Sequence, residues 1–310
     1  MNILVTGSTG LIGTALVAQL TAEGNQVTRL VRPGGRSSEG GPASGQVTDV
    51  AWDPAGGAVD VAALAGAGPY DGVVHLAGAG VGDRRWSTGR KEVILTSRTS
   101  STALLVSTVL DLEPRPPVLV SASAIGFYGD RGDDELTEDS AGGRGFLADV
   151  VEAWERAARG AADAGVRTVL LRTGLVLAPS GGVLAKQLPL FRAGVGGRLG
   201  SGRQYQSWIT LDDEIGVILA ALADGSLSGP LNAVAPAPVT NAQFTATLAH
   251  VLHRPAVLAV PAAALRLALG AEMANETALV SQRVLPAKLL AAGYAFAHPD
   301  LEGGLRAVLA

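Results

Sequence analysis

Cysteine is absent from the 310 residues. That excludes disulfides, thiol catalysis and cysteine metal sites, and it leaves the redox compartment open. Charge is sparse: charged residues make up 17%, the net charge is −4, and there is no basic tract, so nothing invites nucleic acid. Lysine occurs only at Lys91, Lys186 and Lys288. No cluster reads as a metal site, and no internal repeat is visible. No stretch reads as a membrane span, and the first strand signal starts at Asn2, leaving no room for a signal peptide. The expectation is a soluble cytoplasmic protein with no membrane partner. What remains is apolar: the hydrophobic fraction is 47%, enough for one large α/β domain with an appended lobe. Alanine and glycine are abundant throughout, so an isolated one carries little meaning.

The most informative stretch is the first. Ile3, Leu4 and Val5 form a short apolar run that reads as a buried parallel strand. Gly7, Gly10 and Gly13 follow at three-residue spacing. A helix then opens with Leu11, Ala15, Leu16 and Leu20 on one stripe. Gly7 can take backbone angles forbidden to other residues, Gly10 lets the chain approach a pyrophosphate, and Gly13 lets the helix pack close to the strand. Free amides at the helix start then face the anion. Gly7, Ser8, Thr9, Gly10, Leu11, Ile12 and Gly13 are therefore expected to hold a dinucleotide. The alternative is a plain strand-to-helix turn, but a strand before and a helix after are the context the motif requires.

The second strand, Gln26 to Arg32, ends without the acid that binds the adenosine ribose in NAD enzymes. Val31 and Arg32 stand there instead. The planar fork of Arg32 can pair with a 2′-phosphate, which predicts NADP (NADPH); the bland reading is a solvated surface arginine. Residues 34–45 are Gly/Ser/Pro-rich and read as a loop. Trp52 and Asp53 either approach the adenine or form a packed ring beside a turn-starting Asp-Pro. A further buried strand ends at Leu76, Ala77 and Gly78, small enough for a cofactor to cross. His75 within it reads as a satisfied core histidine. Arg84, Arg85 and Arg98 meet either an anion or solvent, and Arg98, mid-helix after Thr96-Ser97, has pairing with a local acid as a third reading.

A strand from Pro117 leads to Ser123 and then to Phe127-Tyr128-Gly129. Ser123 either binds a substrate oxygen or satisfies backbone at the strand end. The strand Val166 to Leu177 places Thr173 and Gly174 toward a nicotinamide. Arg203, Tyr205 and Trp208 bring polar and aromatic groups together as a candidate substrate wall. Asp212-Asp213 reads as a helix cap. The fold class expected is α/β, a Rossmann-type doubly wound parallel sheet with a smaller C-terminal α/β lobe. The binding domain would span residues 1–177 and continue at about 208–235; residues 178–207 and 236–310 would form the lobe.

Thr6-Gly-Ser-Thr-Gly-Leu-Ile-Gly13 resembles the glycine turn of the extended short-chain dehydrogenase/reductase superfamily. With Trp52-Asp-Pro54, Arg85-Trp86, Ser97-Arg98, Ser207-Trp-Ile209 and Gln282-Arg-Val-Leu-Pro286, nearly the whole chain resembles one atypical branch of it. This is the "epimerase family protein" group, nucleoside-diphosphate-sugar epimerase-like, with its own C-terminal domain. The resemblance implies NADP on a Rossmann domain; it does not imply a substrate. It also implies that Ser123 occupies the place of the catalytic serine. Active members of the superfamily add a Tyr-x-x-x-Lys pair, in which the Tyr moves the proton and the Lys tunes it and holds the nicotinamide ribose. Aligning Glu155 with the acid that follows puts Leu147 and Val151 at those two positions. Ser87, Gly182 and Val284 stand four residues before the three lysines, so no Tyr-x-x-x-Lys exists anywhere. Tyr128, then Tyr205, is the candidate replacement for the proton transfer, with simple packing the alternative for Tyr128. Two readings follow. One is an NADP-dependent oxidoreductase or epimerase acting on a small polar, nucleotide-linked substrate; the other is a non-catalytic NADP-binding sensor or scaffold.

Overall fold

The computed structural model describes residues 1–32, 34 and 45–310. The Gly/Ser/Pro-rich loop expected at 34–45 otherwise lies outside the described residues. Eight strands form the main sheet: β1 (Asn2–Thr6), β2 (Gln26–Val31), β3 (Val47–Asp53), β4 (Ala58–Val59), β5 (Gly72–His75), β6 (Val118–Ala124), β7 (Arg167–Thr173) and β8 (Gly229–Ala233). Their order is β8-β7-β6-β5-β1-β2-β3-β4. Every pairing is parallel except β3 with β4. The chain runs outward from β1 through β4, returns, and runs outward on the other side from β5. The order therefore reverses between β1 and β5, and the crevice beyond their carboxyl ends is where open α/β sheets take ligands.

Successive side chains on a strand point to opposite faces. Ile3 and Val5 go to one side with Leu16, Val17 and Leu20 of α1 (Leu11–Ala22) and with Ile215 and Ile218 of a later helix, Leu211–Ala223. Leu4, Val73 and Leu119 go to the other side, against α2 (Val61–Ala67), α3 (Thr88–Asp111) and α4 (Phe146–Asp163). Both faces are covered, as the apolar β1, β5 and β6 require. Burying each such side chain is worth roughly 1.5–3 kcal/mol. Contrary to the expectation that no stretch reads as a membrane span, α3 is long and apolar enough to cross a membrane by length and composition alone. In the fold, Leu105, Val106 and Val109 of α3 pack into the core of this second face.

A separate apolar cluster gathers helices from the second half of the chain. Leu184, Leu188 and Phe191 of α5 (Gly182–Arg192) meet Trp208, then Phe244 and Leu248 of the helix Asn241–Val251, and Leu301 and Leu305 of the last helix. The helix that follows the strand Trp208–Thr210 is α6 (Leu211–Ala223). That strand pairs in parallel with Leu175–Leu177 and lies outside the main sheet. Asp212 and Asp213 were expected to cap α6, but Thr210 does so and both acids lie in the first turn; the Asp213 carboxylate instead holds the segment before the last helix, accepting from the amides of Ala297 (2.7 Å) and His298 (3.0 Å).

Candidate functional site

The crevice is built by glycines that cannot be replaced. Gly7 has φ +68°, and a Cβ there would lie 2.6 Å from the backbone of Leu76. A Cβ on Gly13 would overlap the carbonyl oxygen of Gly7. The turns after β1 and β5 thus touch, and α1 sits hard against its own strand. Asp60, Ser87 and Thr210 cap the starts of α2, α3 and α6 with their side chains, whereas no side chain caps α1 at Gly10. The first amides of a helix without a cap form an anion site. Ser8 is buried; Thr9 and Gly10 are exposed; Leu11 and Ile12 are half-buried, with Leu11 against Gly181. This cradle has the shape and the donors that a dinucleotide pyrophosphate requires.

His75 is the satisfied core histidine that was expected. Its Nδ1 lies 2.7 Å from the Thr6 hydroxyl and its Nε2 2.9 Å from that of Thr102. Burial holds its pKa down at about 3, so it stays neutral. Thr6 Oγ1 also accepts from the Leu76 amide at 3.2 Å, which ties the two strand ends flanking the crevice. Ala77 is half-buried and Gly78 exposed, with Gly78 lying against the Arg98 side chain. Arg98 is bound within the fold rather than facing solvent or a local acid: its Nη1 donates to the Ala79 and Ile94 carbonyls, and the guanidinium lies over the Trp154 ring. At the carboxyl end of β2, Val31 closes the strand and the exposed Arg32 follows it. Trp52 is a core residue, edge-on to His75, and Asp53 accepts from the Ala55 amide, so both take their packing and turn roles.

At the end of β7, Thr173 and Gly174 are half-buried. The Gly174 amide donates to Ala233 at 3.0 Å, and a Cβ on Gly174 would lie 2.6 Å from the Ser207 carbonyl oxygen. Thr173 Oγ1 donates to Glu214 Oε1 at 2.8 Å.

Ser123 and Tyr128 come together, but in a closed internal network. Ser123 Oγ donates to Glu155 Oε1 at 2.7 Å. Arg172 grips the same carboxylate through Nε (2.8 Å) and Nη2 (3.0 Å), and its Nη1 donates to the Tyr128 hydroxyl at 3.0 Å. Tyr128 donates in turn to Asn232 Oδ1 at 2.7 Å. Arg172 also lies 3.6 Å above the Phe127 ring. Exposure is 4% for Ser123, 1% for Glu155, 2% for Arg172 and zero for Tyr128 and Asn232. Burial pushes the Tyr128 phenol up, against the pull of Arg172. Burial alone would lower Arg172, but the bonds and charge of Glu155 hold it above its ordinary value. A phenol that holds its proton this firmly, with every polar atom engaged, is a poor acid or base for a ligand outside it.

Leu147 and Val151 stand on α4 beside Gly126, facing the stretch between Ser123 and Tyr128. Beside Leu147 is a cavity of about 140 Å³, lined among others by Asp130, Arg144, Glu276 and Gln282. Glu276 comes from the turn Ala274–Ala278, and its two oxygens accept the Phe146 (3.0 Å) and Leu147 (2.8 Å) amides. The start of α4 is thus capped by the far end of the chain. Sequence reading missed this because the partners lie about 130 residues apart. Of the candidate wall, Arg203 is exposed and Tyr205 half-buried, its ring 5.1 Å from the Arg283 guanidinium. Trp208 is fully buried in the second apolar cluster, its indole N–H donating to Ala237 at 3.0 Å. The three are not brought together around one cavity.

A doubly wound sheet, a glycine turn at its switch point and an uncapped helix start define a Rossmann-type nucleotide-binding architecture. The chain belongs to the NAD dependent epimerase/dehydratase family, whose model matches residues 3–233. A second model, a domain of unknown function (DUF1731), matches residues 260–308. The chain is 43% identical over 296 residues to epimerase family protein Mb2239 of Mycobacterium bovis, covering 96% of this chain and 93% of that one. It is 35% identical over 311 residues to human epimerase family protein SDR39U1, covering all of both. A crystal structure of human SDR39U1 (isoform2) with NADPH matches with a TM-score of 0.86 at 34% identity, over 99% of each chain.

Proposed function

We propose that this chain binds NADP(H) in the crevice between β1 and β5, and that it does so without the proton-transfer pair of its superfamily. The observation that carries this is the pairing of an open phosphate cradle with a closed catalytic corner. The cradle fits a dinucleotide; Leu147 and Val151 cannot move a proton or hold a ribose by charge, and Ser123 and Tyr128 are engaged with Glu155, Arg172 and Asn232. Residues 1–177, continuing at about 208–235, serve as the binding domain; residues 178–207 and 236–310 form the lobe that faces it. The pyrophosphate takes the 7–13 turn. Arg32 takes the 2′-phosphate in place of an acid, which selects NADPH over NADH. Leu76, Ala77 and Gly78 line the crossing, and Thr173 and Gly174 the nicotinamide end. A bound nicotinamide would supply redox chemistry there. The NADPH in the human SDR39U1 structure supports the choice of cofactor.

A second reading, turnover of a small polar substrate, draws on the cavity beside Leu147. The test is NADPH titration of the purified protein, then a substrate screen that follows NADPH consumption. Tight binding with no turnover supports binding without proton transfer. Turnover that Ser123→Ala abolishes would reject it in favour of the reductase or epimerase reading, on small-molecule, nucleotide-linked substrates.

A further inference from the structure

Glu214 is a buried acid that no step above uses. It lies in the first turn of α6 with zero exposure. One oxygen accepts from the Thr173 hydroxyl at 2.8 Å; the other, Oε2, is buried and has no partner among the described residues. Both facts matter, because a buried carboxylate normally finds a cation or several donors. None is available here. α1 reads Leu-Ile-Gly-Thr-Ala-Leu-Val-Ala-Gln-Leu-Thr-Ala, without a charge, and neither β6 nor the strands 175–177 and 208–210 carry one. Arg172, next to Thr173, points to the opposite face of the sheet and is held by Glu155. Tyr294 and Asp213 also face this corner and neither supplies a cation; burial, then Asp213 and Glu214, push the Tyr294 phenol up to about 12. Burial accordingly raises the Glu214 carboxyl to about 8. Thr173 is the link to the crevice: it ends β7 and is followed by Gly174, which the Ala233 carbonyl and the Ser207 backbone clamp in place.

We propose that Glu214 is a positioning residue for the cofactor: protonated, it holds the Thr173 hydroxyl, and with it the Thr173–Gly174 strand end, where the nicotinamide half of the dinucleotide lies. This rests on the cofactor assignment above. On ionisation the carboxylate can still accept from Thr173, but its unpartnered Oε2 leaves a charge in an apolar corner. The first turn of α6 must then shift or admit water, and it carries the Thr173–Gly174 strand end out of place. Glu214 thus couples cofactor affinity to pH from the far side of the sheet, without touching the cofactor.

The test is calorimetric titration of the full chain with NADPH at several values between about pH 7 and 9.5, where the 2′-phosphate stays ionised. Wild type is expected to bind about tenfold more weakly at the alkaline end, the scale of one lost hydrogen bond. Glu214→Gln, which has no proton to lose, should show no such drop. Thr173→Val should bind weakly across the range with a flat profile, and Thr173→Ser, which keeps the hydroxyl, should restore both affinity and slope. A wild-type profile that is flat, or one that Glu214→Gln reproduces, overturns the inference while leaving the cofactor assignment standing. A Thr173→Val variant that keeps wild-type affinity and slope overturns it in the same way. A wild type that binds no NADPH at any pH overturns the assignment and this inference with it.

Discussion

Replacing Glu214 with glutamine is expected to change how folding stability depends on pH, and the size of the change can be worked out. The acid titrates at about 8 in the fold against an ordinary value of 4.5. The unfolded chain therefore ionises it from about pH 4.5 upward, while the folded chain keeps the proton to about pH 8. In that window the folded state binds more protons, so stability falls as pH rises; above it both states are ionised and the loss is complete. A tenfold change in proton affinity is worth about 1.36 kcal/mol, so the rise from 4.5 to about 8 amounts to about 5 kcal/mol. The partial positive charge at the start of α6 opposes this loss but is worth only about 0.3–1 kcal/mol. Glu214→Gln has no such slope; whatever its amide costs is constant with pH. Urea unfolding of both proteins at a series of pH values, read by tryptophan fluorescence, gives the difference directly. The variant should gain several kcal/mol on wild type between pH 5 and 8. Parallel pH profiles for the two would refute the reasoning.

Three further outcomes follow from the same geometry. Arg172→Met removes the buried, two-pronged cation of Glu155, leaving only the half-exposed Arg159 at 3.1 Å, and should cost up to about 3–5 kcal/mol in chemical unfolding; a cost near zero would mean that the pair is not desolvated. Tyr128→Phe removes the bonds to Asn232 and Arg172 and should lower stability by about 1–3 kcal/mol while leaving NADPH affinity unmoved. Lost affinity at intact stability would instead place its hydroxyl at the ligand. Gly13→Ala puts a methyl into the Gly7 carbonyl, so NADPH binding, measured by fluorescence titration, should be lost; wild-type affinity would show that the turn has slack.

What was legible in the sequence was what depends on neighbours along the chain. The glycine turn, the apolar runs of β1, β5, β6 and β7, and the missing Tyr-x-x-x-Lys are all local patterns, and they led to the doubly wound sheet. His75 was legible as a core residue because an apolar strand surrounds it. The closed corner was not. Ser123, Glu155, Arg172 and Asn232 come from four segments, and only packing brings their polar atoms together. Trp208 illustrates the same limit: it sits in a polar stretch, but its ring turns inward to Phe244 and Leu305. Glu214 lay in an acidic run that reads as a helix start, and nothing local shows that the first turn of α6 is buried.

Calorimetric titration of wild type and Arg32→Ala with NADPH and with NADH tests the central assignment most directly. Wild type should bind NADPH more tightly than NADH. Loss of the arginine should cost about 1–3 kcal/mol for NADPH and little for NADH, the scale of a charged hydrogen bond. Equal wild-type affinities for the two cofactors, or binding of neither, would contradict it.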